Sequence, residues 1–368
     1  MENNQSINNN QIREYNVDLL KTFATICMII CHVVYMLGVH KEGYHDSFWY
    51  FFADAILGSY LAVAHAFMFA MGFGIIYSKR SSPGYLIKRG LCLFILAYIL
   101  NFFRYGIYAI ADGIIEGQFI DETLYALTSL DIFHFAGLAL MFTGLLKYFK
   151  LKSIHILIIG VILSIIGSII AFMIQGNFVL NYLLGLFVIT SEEESCFSFI
   201  NWYIFVGIGM AFGEVLKKVN NKDKFYLRLL IISAIIAIIY ITLSFIFGAY
   251  FLTKGRLYYA TSTIEDIGYL SIDFTLLSIF YFITKNKSYE KDPFYITMSK
   301  NVTIIYFIQW CIIGFIDSIF GYLLEIEFSY LTMYIIGIAL VFIAYYLSIL
   351  YNKIKEKHKL KKINNESI

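Results

Sequence analysis

The stretch VDLLKTFATICMIICHVV, residues 17–34, is apolar except near its two ends. At 1.5 Å per residue a helix of this length spans about 27 Å, close to the ~30 Å hydrocarbon core of a bilayer. Asp18 and Lys21 lie near its start and His32 near its end. An ionisable side chain inside an apolar helix is costly to insert and is a functional candidate by default. The stretch therefore predicts a membrane-spanning helix in which His32 has a specific task.

The whole chain has the composition of an integral membrane protein. Of its 368 residues, 60% are hydrophobic and 15% are charged, and the mean hydropathy is +0.72. A soluble protein needs a more charged exterior, and the apolar residues here come in blocks of about 20. We expect an all-α, polytopic transmembrane helical bundle in the cell membrane, surrounded by the lipid bilayer and without a nucleic-acid partner.

The apolar blocks predict about ten spans. They lie near residues 17–38, 56–78, 86–105, 129–147, 153–174, 199–216, 226–250, 265–284, 301–323 and 329–351. Residues 178–190 are too few to cross alone and indicate an interfacial or re-entrant segment. Lysine and arginine are concentrated in alternate loops and in the tail, whereas the opposite connections are acidic or mixed. By the positive-inside rule, this alternation predicts that both termini are cytoplasmic.

The chain divides into one membrane domain and two polar ends. We expect residues 1–16 to be a disordered cytoplasmic segment, residues 17–351 the transmembrane domain and residues 352–368 a basic cytoplasmic tail.

Small residues inside the predicted spans suggest close packing. Cys27 and Cys31 lie at i and i+4 on one helix face, a spacing compatible with a metal ion, but packing explains it better and we expect no metal. The glycines of VGIGMAFG are expected to let two helices approach closely; they are Gly207, Gly209 and Gly213.

Four predicted helices each bring ionisable side chains to a similar depth in the outer half of the membrane. These side chains are His32, His65, Arg104 and the pair Asp131 and His134, which lie three residues apart. His32 is about 21 Å along the helix axis from Asp18. His65 could alternatively bond a neighbouring helix, and Arg104 could only extend its charge to the surface.

The opening VDLLKTFATICMIICH resembles the start of the membrane acyltransferases of the acyltransferase-3 type and of their heparan-α-glucosaminide N-acetyltransferase-like relatives. Those families have an acidic residue, two residues, an arginine, ten residues and a histidine; Asp18, Lys21 and His32 have this spacing. AFMFAMGFGIIYSKR and YLIKRGLCLFILAYILN are similar to the segments that follow, and DIFHFAGLALMFTGLL and MSKNVTIIYFIQW look like later segments of the heparan-type branch. Lys21 departs from the arginine and lacks its planar fork.

The resemblance implies that residues 17–351 form an acyltransferase-like domain. Such proteins move an acyl group, usually acetyl from acetyl-CoA inside, to a hydroxyl or amine of a carbohydrate or polyol at the outer face of the cell envelope. The charged phosphates of CoA call for a basic cytoplasmic entrance, for which the candidates are Lys21, Arg80, Lys88 and Arg89. The substrate-binding candidates are His65, Arg104 and Asp18. Asp18 could instead orient the donor site, cap its helix or pair with Lys21.

The acceptor hydroxyl needs a base, and histidine suits this task because its ordinary pKa lies near ~6.5. We expect His32 to be that base, with Asp131 holding its tautomer and His134 in the same catalytic group. The heparan-type branch instead uses a histidine in the outer loop after the first helix, where this chain has His40 and His45. Either kind of base therefore stays open.

Two other functions compete with acyl transfer. A secondary transporter or flippase for an envelope precursor would also use buried histidines and a central polar layer. Neither an inverted repeat nor a pair of broken helices in the sequence supports this alternative. A membrane sensor or scaffold without catalysis would not need His32.

Overall fold

The computed structural model describes residues 13–61, 63–106, 109, 127–174, 176–190, 196–247, 259, 261–287 and 293–366. Helices are the regular secondary structure throughout these residues. The α-helices of seven or more residues are, in chain order, α1 (Tyr15–Gly38), α2 (Val63–Tyr77), α3 (Pro83–Asn101), α4 (Ile132–Tyr148), α5 (Ser153–Ile170), α6 (Phe178–Gly185), α7 (Phe199–Lys217), α8 (Lys222–Phe247), α9 (Thr263–Thr284), α10 (Phe294–Lys300), α11 (Val302–Ile316) and α12 (Tyr330–Glu366). The all-α prediction is confirmed.

Within the described residues, nine helical segments are long and apolar enough to cross a membrane. The second of them runs over Phe48–Tyr77, so this segment begins earlier than the predicted span 56–78. The predicted span 129–147 corresponds to α4, an apolar helix of 17 residues. At 1.5 Å per residue α4 is about 26 Å long, only slightly short of the hydrocarbon core. The chain is therefore a multi-pass membrane protein.

Three helices continue into, or follow, a π-helical segment near the predicted outer surface. One precedes α2 (Phe52–Tyr60), one extends α3 (Phe102–Gly106) and one extends α11 (Asp317–Leu323). A π turn shifts the side chains beyond it around the helix axis, and such turns are frequent at functional sites. Arg104 lies in the second of these segments.

The loops that the structure describes lie at the two ends of the bundle, and the acidic connections near residues 112–122 and 192–194 lie outside the described residues. At one end, here called the basic end, Glu14 pairs with Lys222, and Lys217 donates to the carbonyl oxygen of Ile76. At the opposite end, called the outer end, His40 contacts Asp317. With α4 counted among ten crossings, the chain would return to the side on which it starts. The cytoplasmic location of both termini stays a prediction.

Helix α7 lies at the centre of the bundle and packs tightly against α2. A Cβ atom at Gly72 would collide with the carbonyl of Val206, and one at Gly209 would collide with the carbonyl of Phe69. Only glycine lets the two backbones come this close. The predicted close helix contact around Gly209 is confirmed.

Both polar ends depart from the predicted boundaries. Helix α1 begins at Tyr15, and Asn16 donates to the hydroxyl of Tyr226, so the end of the segment expected to be disordered is helical. Residues 1–12 lie outside the described residues. The basic tail expected over 352–368 continues α12 as helix to Glu366.

The segment predicted to be interfacial contains a short helix. Helix α6 has 8 residues, about 12 Å, which is far too short to cross a bilayer. It carries exposed apolar side chains, among them Val179, Leu180 and Leu183. This combination fits a helix that lies at the membrane interface.

Candidate active site

His32 lies on α1 with its imidazole against helix α11. Its ring centroid is 4.3 Å from the Trp310 ring, the two planes are tilted by 31°, and the Tyr306 ring meets it edge-on at 6.2 Å. Its Nδ1 is 3.2 Å from Nε2 of Gln309. The side chain stays partly exposed. The aromatic contacts thus fix the plane of the imidazole ring.

A buried ion pair lies beside this histidine. Arg104 donates to Asp131 over 2.7 Å, and both side chains are at most 5% exposed. Tyr306 donates to the same carboxylate oxygen over 2.7 Å, and the second oxygen accepts the backbone N–H of Phe133 at the start of α4. Asp131 therefore caps α4 and neutralises Arg104 with the same side chain.

Two further contacts position Arg104. Its guanidinium donates to Oδ1 of Asn101 over 2.8 Å, and the Asn101 amide donates to the carbonyl oxygens of Leu127 and Ser129. These bonds join the end of α3 to the segment that leads into α4. The Arg104 guanidinium also lies 4.6 Å from the centre of the Trp310 ring, a cation–π contact.

Trp310 therefore contacts both His32 and Arg104, so its ring lies between the histidine and the ion pair. Three polar atoms in this group are buried without a hydrogen-bond partner among the described residues: Nε of Arg104, Oε1 of Gln309 and Nε1 of Trp310. Buried polar atoms are almost always bonded, so these three are candidates to bind a ligand. We call these five side chains the outer cluster: His32, Arg104, Asp131, Gln309 and Trp310.

The contacts correct one expectation about the base. Asp131 does not touch His32; its oxygens bond Arg104, Tyr306 and a backbone N–H. The side chain that meets Nδ1 of His32 is the neutral amide of Gln309. Asp131 acts on the histidine only through space, as Arg104 does.

His134 stands apart from the base. Its Nδ1 accepts the backbone N–H of Asp131 over 3.0 Å, which completes a capping box at the start of α4. Its ring meets Tyr98 edge-on at 4.6 Å and is 1% exposed. These contacts indicate that His134 stabilises the N-terminus of α4 beside Asp131.

His65 is enclosed by aromatic rings. It stacks on Tyr269 at 4.0 Å and on Trp202 at 4.5 Å, and Phe205 meets it edge-on. Its exposed fraction is 0%. A soluble substrate could not reach the ring without repacking three helices, so the structural alternative for His65 is the better one.

A second charged group, the inner cluster, lies near the basic end and consists of Arg13, Asp18, Lys21 and Ser299. Asp18 accepts two bonds from Arg13, over 2.6 and 3.0 Å, and one from Ser299. Lys21 donates to the Ser299 carbonyl over 2.7 Å instead of pairing with Asp18 directly. The expected Asp18–Lys21 pair is thus replaced by a shared contact with Ser299.

The remaining candidates for the donor site are on or beside α3. Arg80, Lys88 and Arg89 are all exposed. Arg89 is close enough to act on the charge of Lys21, whose other charged neighbours are Asp18 and Arg13. Three cations and one carboxylate therefore meet near the basic end, which leaves a positive surplus. Asp18 belongs to this group and not to the outer cluster.

The two loop histidines differ in their surroundings. His40 lies 2.8 Å from a carboxylate oxygen of Asp317, so it has the partner that an orienting acid would provide. His45 stacks on Tyr44 at 3.8 Å. His40 is therefore the stronger of the two alternatives to His32.

Arg13, Gln309 and Trp310 are site residues that the sequence prediction missed. Gln309 had a usable signal, because it is a polar residue inside the apolar run VTIIYFIQWCII. Tyr306, Gln309 and Trp310 also recur at i, i+3 and i+4, which places them on one helix face. Arg13 gave no signal, since it lies in the segment expected to be disordered.

Cys27 and Cys31 are buried in the packing of α1. In the part of the chain that the structure describes, no group of three or more histidine, cysteine or acidic side chains could hold a metal ion.

Comparison with known proteins identifies the kind of enzyme. The model of the family described as an acyltransferase domain matches residues 14–350, nearly the whole chain, including the outer cluster and every residue of the inner cluster except Arg13. No curated protein and no solved structure matches the chain. The match favours catalysis over the transporter, sensor and scaffold alternatives. An apolar multi-helix bundle with a partly exposed histidine beside the buried ion pair of Arg104 and Asp131 agrees with the match. The chain belongs to the acyltransferase-3 family of membrane acyltransferases.

Proposed function

We propose that this acyltransferase moves an acyl group, acetyl in the simplest case, from acyl-CoA at the basic end to a hydroxyl or amine of a carbohydrate at the outer end. The observation that carries the proposal is the outer cluster, where a partly exposed histidine lies beside a buried arginine with an unbonded Nε–H. A base and a hydrogen-bond donor are the two groups that acyl transfer to a hydroxyl requires.

His32 acts as the general base. It takes the proton of the acceptor hydroxyl as the oxygen attacks the thioester carbonyl. The new C–O bond forms, the C–S bond breaks, and the released thiolate takes the proton from the protonated His32, which returns to its neutral form. The Nε–H of Arg104 is the group suited to receive the negative charge that develops on the carbonyl oxygen. The ion pair with Asp131 holds Arg104 in place.

The inner cluster binds the donor. Its positive surplus from Arg13, Lys21 and Arg89 suits the phosphates of CoA, with the exposed Lys88 and Arg80 at the entrance. Lys21 precedes His32 by eleven residues, about 16 Å along α1. A donor held at Lys21 therefore reaches the base only if its pantetheine arm extends along α1, with its thioester foremost.

Reconstituted vesicles test the proposal. Purified protein in liposomes receives acetyl-CoA labelled in the acetyl group on one side and a panel of soluble saccharides on the other. We expect labelled O- or N-acetyl saccharide that appears with protein and not with heat-inactivated protein. Labelled product from longer acyl-CoA only would change the acyl group, and no product from any acyl-CoA would refute the donor class.

A matched variant connects the assay to the site. Lys21→Met removes a charge of the inner cluster and keeps the length of the side chain. We expect a higher KM for acetyl-CoA with an unchanged KM for the saccharide. Equal effects on both KM values would contradict the separate donor and acceptor ends.

A further inference from the structure

Gln309 has an environment that its packing alone does not explain. It lies on α11 with 0% exposure, inside an apolar helix. Its Nε2 is 3.2 Å from Nδ1 of His32, the one hydrogen bond that the described residues give its carboxamide. Its Oε1 is buried and unbonded in the same part of the chain. No second contact therefore fixes which way the amide faces.

The direction of that amide decides where His32 carries its proton. An amide N–H that donates to Nδ1 requires a lone pair there, so the neutral ring is protonated at Nε2. If the carboxamide turns by half a revolution, its oxygen accepts from a protonated Nδ1 and leaves the lone pair on Nε2. Oxygen and nitrogen exchange places in nearly the same volume, so neighbouring side chains need not move.

We propose that Gln309 is a positioning residue that selects the tautomer of His32 by the orientation of its carboxamide. This inference rests on the proposed role of His32 as base. The orientation seen in the structure leaves the proton on Nε2, and the turned orientation frees Nε2 to accept the proton of the acceptor. The same turned amide then bonds the protonated ring after the proton has been taken.

The surroundings of His32 leave this task to Gln309. Trp310 and Tyr306 hold the plane of the ring, but their rings do not bond Nδ1. The charged groups that face His32 are Asp131 and Arg104, which act on it through space with opposite signs. A neutral amide can bond both tautomers, whereas a carboxylate in its place would bond only the one protonated at Nδ1.

Two substitutions test whether the Gln309 amide selects the tautomer of His32. Gln309→Glu offers only acceptors to Nδ1, and Gln309→Met keeps much of the volume but offers no hydrogen bond. The readout is the pair of ring ¹⁵N chemical shifts of His32 in histidine-labelled protein, assigned by their loss in His32→Gln. Asn352→Leu serves as the matched control, because it removes an amide bond to Asn301 near the basic end.

We expect Gln309→Glu to move His32 to the form protonated at Nδ1 and Gln309→Met to change the tautomer ratio, with no change in Asn352→Leu. Unchanged His32 shifts in both Gln309 variants would overturn the inference, whatever their activity. We also expect Gln309→Met to lower kcat about tenfold or more, with KM unchanged and partial rescue in Gln309→Glu.

Failure of the proposed function would look different. If the shifts respond to Gln309 while His32→Gln keeps its activity, the tautomer role of Gln309 stands and His32 is not the base. If the shifts respond and kcat falls in Gln309→Met, both assignments hold.

Discussion

His32 and His65 are the same residue type in predicted spans at a similar depth, yet the protein surrounds them differently. His65 is stacked between Tyr269 and Trp202 and is 0% exposed. His32 has one face on Trp310 and a neutral hydrogen-bond partner at Nδ1, and the residue is partly exposed. A buried imidazole stabilises packing, whereas catalysis needs one free nitrogen. Depth in the membrane alone therefore does not identify a functional histidine.

The largest difference between the two histidines should appear in kcat. His32→Gln keeps a polar side chain but cannot accept a proton at neutral pH, so kcat should fall by about 10²–10⁴-fold. Protein yield and Tm should stay near those of the wild type. His40→Gln is the control, because His40 is the alternative base and contacts a carboxylate, that of Asp317. Loss of activity in His40→Gln and not in His32→Gln would move the base to the outer loop.

The next largest effect should be on stability, from the ion pair beside His32. Asp131→Asn keeps a good capping residue for α4 but leaves the buried guanidinium of Arg104 without a counter-charge. Breaking a buried pair in this way costs about 3–5 kcal/mol. The Tm of purified protein in detergent measures it.

The double variant Arg104→Met, Asp131→Asn isolates the charge effect. Because no unpaired charge remains, it should recover part of the Tm that Asp131→Asn loses. A Tm that falls further in the double variant would show that other contacts of Arg104 dominate, such as those with Asn101 and Trp310.

His65 should affect stability more than catalysis. His65→Phe keeps a flat ring between Tyr269 and Trp202 and should change the free energy of unfolding by less than about 1.5 kcal/mol. His65→Ala leaves a cavity and should cost about 2–5 kcal/mol. In both variants kcat per folded molecule should stay within about twofold. A selective loss of kcat in His65→Phe would restore His65 as a substrate-binding residue.

The smallest effect should come from the exposed entrance. Lys88→Ala with Arg89→Ala removes two surface charges, each worth about 0.2–1 kcal/mol in such contacts. The KM for acetyl-CoA should rise about two- to tenfold, and the effect should fade at high salt. Lys355→Ala with Lys357→Ala removes equal charge from the exposed tail and should leave KM unchanged. Equal KM values in the two double variants would mean that Lys88 and Arg89 only orient the chain in the membrane and do not bind CoA.

The fold could be predicted from the sequence because the length of the apolar segments and the charges of the loops do not depend on which helices pack together. The block at 17–38 became α1, and the basic turns collected at one end of the bundle. Depth along the axis also follows from sequence, at 1.5 Å per residue. That is why His32, Arg104 and Asp131 could be grouped before any contact was known.

The neighbours that each helix face contacts could not be predicted in the same way. Each residue turns the chain by about 100°, and a π turn such as Phe102–Gly106 changes that phase without a sequence signal. The expected bond from Asp131 to His32 therefore failed, and Gln309 took its place. The role of Asp18 shifted for a related reason, since its main partner Arg13 lies before the start of the predicted helix.

The position of Trp310 gives the enzyme a built-in optical probe. The chain has three tryptophans, and Trp310 alone lies between the imidazole of His32 and the guanidinium of Arg104. Indole emission responds to the electric field across the ring, so a charge gained by His32 or an acyl oxygen bound to Arg104 shifts its colour or intensity. With Trp49 and Trp202 replaced by phenylalanine, the fluorescence of one residue would follow occupancy and protonation in real time. The enzyme could then be observed at work without a label.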